Sequence, residues 1–463
     1  MKTSHITHLY NRIGFGVSPS TLAMLNEKSK AYVVTKIFAD SEKAKPLIID
    51  LSDLQAMIKS TPRKSKKEKD KLKMKELRML SRKKLAELNY TWINRLATSD
   101  AVFTEKMTLF WTNVFVCQDK NVVHYQQYHN TLRKYALGNF NEFVKAIAKE
   151  PSMNKYLNNK QNVKGSPNEN FARELMELFT IGIGNYTEQD IKESARAFTG
   201  WSFNKKGEFF LKKNKHDFGE KTFMGKTGNF DGNDIIDIIL EQRETANFIC
   251  NKVYKYFVNP EIDKKRLEEI TDVFYKDYDI YNLMNYIFSS DWFYDEKNIG
   301  VKIKSPIELM VGIKKTVPVE LQRPKQNMYL QKMMGQVLFF PPNVAGWKGD
   351  KYWIDSNTLM FRLKLASMLL NNGKIDLAEK GEFEDSYEDF YKKRKGKNRY
   401  LKTKVSWNDF EEDYGNLKTS ELQELLIVSK IDSDTQRFLS NLKVRNNREY
   451  CVQLMSIPEY QLC

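Results

Sequence analysis

Four cysteines, five histidines and twelve prolines are few for 463 residues, and each scarcity removes a class of protein. Cys117, Cys250, Cys451 and Cys463 form no Cys-x-x-Cys pair, so neither a zinc module nor a disulfide framework is implied. A reducing compartment, the cytoplasm, is the expectation. The histidines, at 5, 8, 124, 129 and 216, include no His-Glu-x-x-His, which excludes a zinc protease of that kind. The N-terminal MKTSHITHLYNRIGFG has no apolar run of signal-peptide length, and no stretch approaches the about eighteen apolar residues that span a bilayer. GKTG at 225–228 suggests a phosphate loop, but the glycine required five residues earlier is Glu220 and no apolar strand precedes it. No repeat recurs at a fixed period, which disfavours a solenoid.

What is abundant is helix-forming. Lys, Glu, Leu, Met and Ala dominate, and a hydrophobic fraction of 41% is ample for a large core. Apolar spacings of three and four recur in TANFICNKVYKYFV, KKRLEEITDVFYKD, YNLMNYIFSS and TLMFRLKLASMLL. Ser18-Pro19 reads as one helix start and Asp100 as another, and Gly138-Asn139 breaks the run from 130 to 148. Only 200–232 looks extended, with short FFL and KTFM runs between glycines. The expected fold is mainly α, a large multi-helical domain with a small β-hairpin and loop excursion near 200–232. Its plan is a domain over residues 1–370 with a basic helical insertion at about 60–90, then a smaller polar C-terminal helical extension over 371–463.

The net charge of +16 is concentrated. Residues 63–88 and 392–404 each carry +8, so the rest of the chain balances. The second block follows six acids and one lysine in EKGEFEDSYEDF, which can offset it locally. The first holds a loose stripe of Leu72, Met74, Leu77, Met79, Leu80, Leu85 and Leu88, and reads as a helix projecting from the body. It is the candidate surface for a protein partner or an anionic polymer. With no aromatic between 62 and 89, nucleic acid is not favoured.

The stretch SPNENFARELMELFTIGIGNYTEQDIKESARAFTGW, 166–201, concentrates polar residues on two helices. Ser166 to Glu169 reads as a capping box, and Thr187 to Asp190 as a second one with Asp at its last position. The apolar face of the first helix is Phe171, Leu175, Leu178 and Phe179; its polar face is Asn170, Arg173, Glu174 and Glu177. Glu174 and Glu177, three apart, can converge on one cation or one substrate group, with Arg173 beside them to hold an anion; the same spacing also occurs on solvated helices.

Several segments together resemble one family. HLYNRIGFG at 8–16, residues 167–201, HDFGEKTFMGKTGNFDG at 216–232, KIKSPIEL at 302–309 and FPPNVAGWKGDKYWIDSNTLMFRL at 340–363 are similar to the domain of unknown function 1800 family. The resemblance implies a bacterial, mainly helical protein whose activity is not established, often encoded near a second uncharacterised family with a sulfatase-like fold. It also implies a His-x-His pair after the tryptophan of FWTNVF, where this chain has Thr112 and Val114. Neither residue replaces histidine as a metal ligand or proton carrier, so a family activity through that pair would be lost here.

The matched motifs nominate His8, Arg12, Asn170, Arg173, Arg196, Asp217, Asn343, Trp347 and Asn357 as ligand-binding, and Glu174, Glu177 and His216 as catalytic. A shared pocket and a buried structural network account for such a set equally well. Two functions follow. One is a binding or assembly protein using a polar pocket, the basic helix and the loops near Trp347 and Trp353. The other is a hydrolase or transferase, with a divalent cation admitted as cofactor, in which the glutamates act as base or ligands and Arg173 and His216 steady an anion.

Overall fold

The protein is described here by a computed structural model covering residues 1–60, 68–371 and 401–463. Helices dominate, and the extended region resolves into two antiparallel hairpins. In the first, β1 (Trp201–Phe203) pairs with β2 (Phe209–Leu211); in the second, β3 (Lys221–Phe223) pairs with β4 (Lys226–Gly228). A third pair was not foreseen: β5 (Val319–Leu321) joins β6 (Thr403–Val405), tying the C-terminal part to the body. Ile303 bridges Leu462 nearby, with Lys302 and Cys463 exchanging both backbone hydrogen bonds.

The helix at the centre is Val102–Val114. Phe103, Met107, Leu109, Phe110, Trp111 and Val114 are buried, and so are Glu105 and Lys106. A helix buried nearly all round lies inside the fold; its two charges must then be answered within the protein. Glu105 accepts from Trp92 Nε1 at 2.8 Å and from two nitrogens of Arg133 at 2.8 and 3.0 Å. Lys106 meets Glu308 at 2.5 Å. Aromatic rings knit the surroundings, with Trp111 against Phe115, Phe140 and Phe143. Each such burial contributes about 2 to 3 kcal/mol.

The basic segment belongs to a 31-residue helix, Glu68–Thr98. Its second half is core, with Leu85, Leu88, Trp92, Ile93 and Leu96 buried, while Lys71, Leu72, Lys75, Arg78, Met79, Arg82 and Lys83 are exposed. Of the expected insertion at about 60–90, residues 68–83 form the outer half of a helix whose inner half is packed in the body; residues 61–67 and most of 392–404 lie outside the described residues. Among the described residues no helix is long and apolar enough to cross a membrane.

Ser18 caps its helix as expected, accepting from the Thr21 amide at 3.1 Å. Two other starts differ. The helix assigned to Asp100 begins at Val102 with no side-chain cap. Ser166 does not cap the helix after it, because its own amide is drawn to Val163 O at 3.0 Å in a short bridge. The Asn168 amide goes to Asn162 Oδ1, and Asn168 Oδ1 accepts from the Asn170 amide, so the helix starts at Asn170. Thr187 and Asp190 do form the second capping box.

Candidate functional site

The Asn170 helix runs as α only to Glu174; Leu175–Thr180 is wound as a π-helix. Thr180 locks this register, its hydroxyl donating to Leu175 O at 2.6 Å while the Ile181 amide reaches Met176 O. Gly182, at φ +81°, ends it. Such π-turns displace side chains from α spacing and recur at functional sites; here the change of winding falls between Glu174 and Glu177.

Glu174 is half-buried, and that burial, followed by the like charge of Glu177, raises its carboxyl above the usual range against the pull of Arg173. Glu177 accepts from the Tyr186 hydroxyl at 3.2 Å. Arg173 is occupied by Glu188 through two bonds of 2.9 and 3.0 Å, and by Glu169 at 3.3 Å. Asn170 is exposed. Phe179, next on the π-turn, packs on Phe115 at the end of the central helix. Tyr156, whose phenol is raised by burial, then Cys117 and Glu174, stands between the turn and the 117–119 loop.

In that loop Asp119 pairs with Lys155 and accepts from the Ser152 hydroxyl at 2.9 Å; Lys155 also lies 3.0 Å from His124 Nδ1. These groups were missed from sequence because none sits in a recognisable spacing. Thr112 turns its hydroxyl back to Leu109 O and Val114 is buried. Asn113, between them, holds Trp347 by both backbone groups, at 2.8 and 3.0 Å.

The remaining nominated residues sort by their partners. Arg196 bonds Asp217 at 2.9 Å and Glu193 at 2.7 Å, holding Asp217 below its usual range. His216 is buried, with Nδ1 2.8 Å from Thr199 O and Phe218 against its ring, which pins the 216–219 loop to the helix before it. His8 packs on Phe293 and Tyr294. Arg12 donates to Asn298 O at 2.8 Å and to Cys463 Sγ at 3.8 Å. Asn343 and Asn357 are exposed, with Asn343 turning its own loop through Ala345. Trp347 and Trp353 are each only 8% exposed, so the loop aromatic facing solvent is Tyr352, at 72%.

A second charged centre also escaped sequence reading. Glu308 accepts from Lys106 at 2.5 Å, from Lys302 at 2.8 and 2.9 Å, and from the Ser305 amide at 2.6 Å. Arg362 donates to Lys304 O at 2.6 Å and to Gln461 Oε1 at 3.2 Å. All five of these charged residues are buried. The two lysines of KIKSPIEL were the available signal, because charges two apart in an extended segment face one side.

The motifs that carry the resemblance are thus spread through one body. The chain belongs to the DUF1800 family. That family's model, described as a protein of unknown function, matches residues 8–462, so membership extends through the C-terminal part as well. Neither a curated protein nor a solved structure gives a significant match. Among the described residues no three His, Cys, Asp or Glu side chains gather closely enough to hold a metal ion. Two carboxylates flank the start of the π-turn, Glu174 at the end of the α segment and Glu177 within the turn.

Proposed function

We propose that this member of the family is a binding or assembly protein that holds an acidic protein partner on its basic helix. One observation carries the reading. Lys71, Lys75, Arg78 and Arg82 fall at i, i+4, i+7 and i+11 and are all exposed, so they form one cationic stripe about 16 Å long. Beside it stand Leu72 and Met79, 56% and 57% exposed and seven residues apart. A charged stripe with an apolar edge suits a protein surface of opposite charge, and the buried half of the helix holds it in place. Two copies would set cations against cations, which disfavours self-association through this face. The four buried, unpaired cysteines support a cytoplasmic setting.

The test is charge reversal of Lys71, Lys75, Arg78 and Arg82 to Glu, followed by cross-linked capture. Because Leu85 and Leu88 are core, deleting the segment would confuse binding with folding. Unchanged capture by the reversed protein would sink the proposal. Leu72→Ser with Met79→Ser separates partner classes: a protein partner is lost, whereas an anionic polymer bound by charge alone stays.

A second reading, hydrolase or transferase, is favoured by the half-buried Glu174 three residues from Glu177, its carboxyl raised by burial and then by that like charge, as a general acid or base requires. Calorimetry with divalent cations on Glu174→Gln tests it; identical titrations and identical stability would remove it.

A further inference from the structure

A different surface has an unusual make-up. Between 204 and 218 the chain exposes Lys205, Lys206, Lys212, Lys213 and Lys215 together with Phe210 and Phe218, 41% and 52% exposed. The inner rings of the same hairpin are already served: Lys149 lies over Trp201 and Phe209, and Lys160 over Phe203. Phe210 faces outward instead, with the Lys212 ammonium 6.0 Å from its ring.

The hairpin is held firmly. Gln127 Nε2 donates to Gly207 O at 3.2 Å at the turn, and a side chain at Gly207, where φ is +86°, would strike Gln127. The Lys212 amide bonds Gly200 O, and the Lys164 amide bonds Lys215 O. Lone exposed aromatics are ordinary. Lys205, Lys206 and Phe210 on the hairpin, with Glu208 the exposed acid between them, and Lys212, Lys213, Lys215 and Phe218 on the turn that follows, make a pattern in which cations meet surface phosphates and rings enter the headgroup boundary.

We propose that the β1–β2 hairpin and the turn through Phe218 dock the protein on an anionic phospholipid surface. Lysine rather than arginine supplies the charge, which suits a diffuse field of phosphates over base-edge or bidentate recognition. A two-stranded ribbon presents its outer edge to a flat surface, whereas single-stranded nucleic acid is held in a groove lined with stacking rings. This assignment is independent of the basic helix.

Co-sedimentation of the full chain tests it, with vesicles about one-third phosphatidylglycerol in phosphatidylcholine against phosphatidylcholine alone. Reversing Lys205, Lys206, Lys212 and Lys213 to Glu should lower binding at least about tenfold, and Phe210→Ser with Phe218→Ser at least about threefold. Lys75→Glu with Arg78→Glu on the basic helix should change it by less than about twofold. All altered residues are exposed, and circular dichroism confirms that each variant is folded. Equal binding to neutral vesicles overturns the assignment, as does binding lost with the basic-helix variant but kept by the hairpin variants. Tighter, hairpin-dependent binding of a single-stranded oligonucleotide overturns it in favour of nucleic acid.

Discussion

Replacing Glu308 with glutamine should be among the most destabilising single changes in this protein. The carboxylate is 3% exposed and answers Lys106 and Lys302, 1% and 7% exposed, at 2.5 to 2.9 Å. Those two ammonium groups hold its pKa far below the ordinary carboxylate range although burial alone would raise it. Glutamine keeps the shape and can still accept from Ser305, but it strands two buried cations. Removing one partner of a buried pair costs about 3 to 5 kcal/mol. Tyr256 and Phe15, whose rings lie 4.6 and 4.7 Å from the nearer ammonium, return part of this, so about 4 kcal/mol is expected. Because the m-value of a chain this long exceeds the about 3 kcal/mol/M of small proteins, the urea midpoint should fall by less than about 1.3 M. The triple change Lys106→Met, Lys302→Met, Glu308→Leu should recover most of the loss, since a well-packed apolar set often equals a buried ion pair. A loss under about 1 kcal/mol in Glu308→Gln, or no recovery in the triple variant, refutes the reasoning.

Glu150 carries the opposite sign: burial pushes its carboxyl up to about 7, and Oε2 has no partner. The folded state then binds more protons between about 4.5 and 7, so stability contributed here falls as pH rises through that window. Glu150→Gln should flatten this slope and raise stability at pH 8 by about 2 kcal/mol in urea melts. Burial lowers Lys304 to about 8, so between about 8 and 10 the unfolded chain binds more protons and stability climbs with pH. The wild type should gain on Lys304→Met across that range in parallel thermal melts, where the buried thiols cancel. Gly346→Ala places a methyl 2.3 Å from Asn113 Oδ1 at φ +77°; a loss of about 2 kcal/mol and a shifted Trp347 fluorescence are expected. Thr180→Val removes the hydroxyl bond that closes the π-turn, for about 1 kcal/mol and a change in the Glu174 titration followed by NMR.

Periodicity and punctuation made most helices legible, because packing faces and glycine stops are local signals: Ile191, Ala195 and Phe198, spaced four and three apart, lie on one buried stripe that stops before Gly200. Ser166 failed as a cap for a reason that spacing does not encode. A capping box is a competition for an amide, and Val163 and Asn162 won it. The π-turn was illegible for the same kind of reason, since the threonine hydroxyl bond to Leu175 O that accompanies it leaves no mark in the apolar pattern.

The site shows the limit more sharply. Glu174 and Glu177 were visible because they share a helix, and Arg173 because it sits beside them. Tyr156, Asp119, Lys155 and His124 were not, because their meeting depends on how separate segments pack. Lys106 and Glu308 are 202 residues apart, and a lysine inside TEKMTLFW looks like a solvated charge until the helix proves to be central. The basic helix reverses the case. Its charge was obvious, but only the burial of Leu85 to Leu96 shows that the stripe is rooted rather than appended. A rooted stripe presents its cations without the ordering entropy a flexible arm would lose on binding. Under the proposed binding role, Arg78 and Arg82 act as parts of a fixed surface, and moving the stripe by one helical turn should weaken capture even with its charge unchanged.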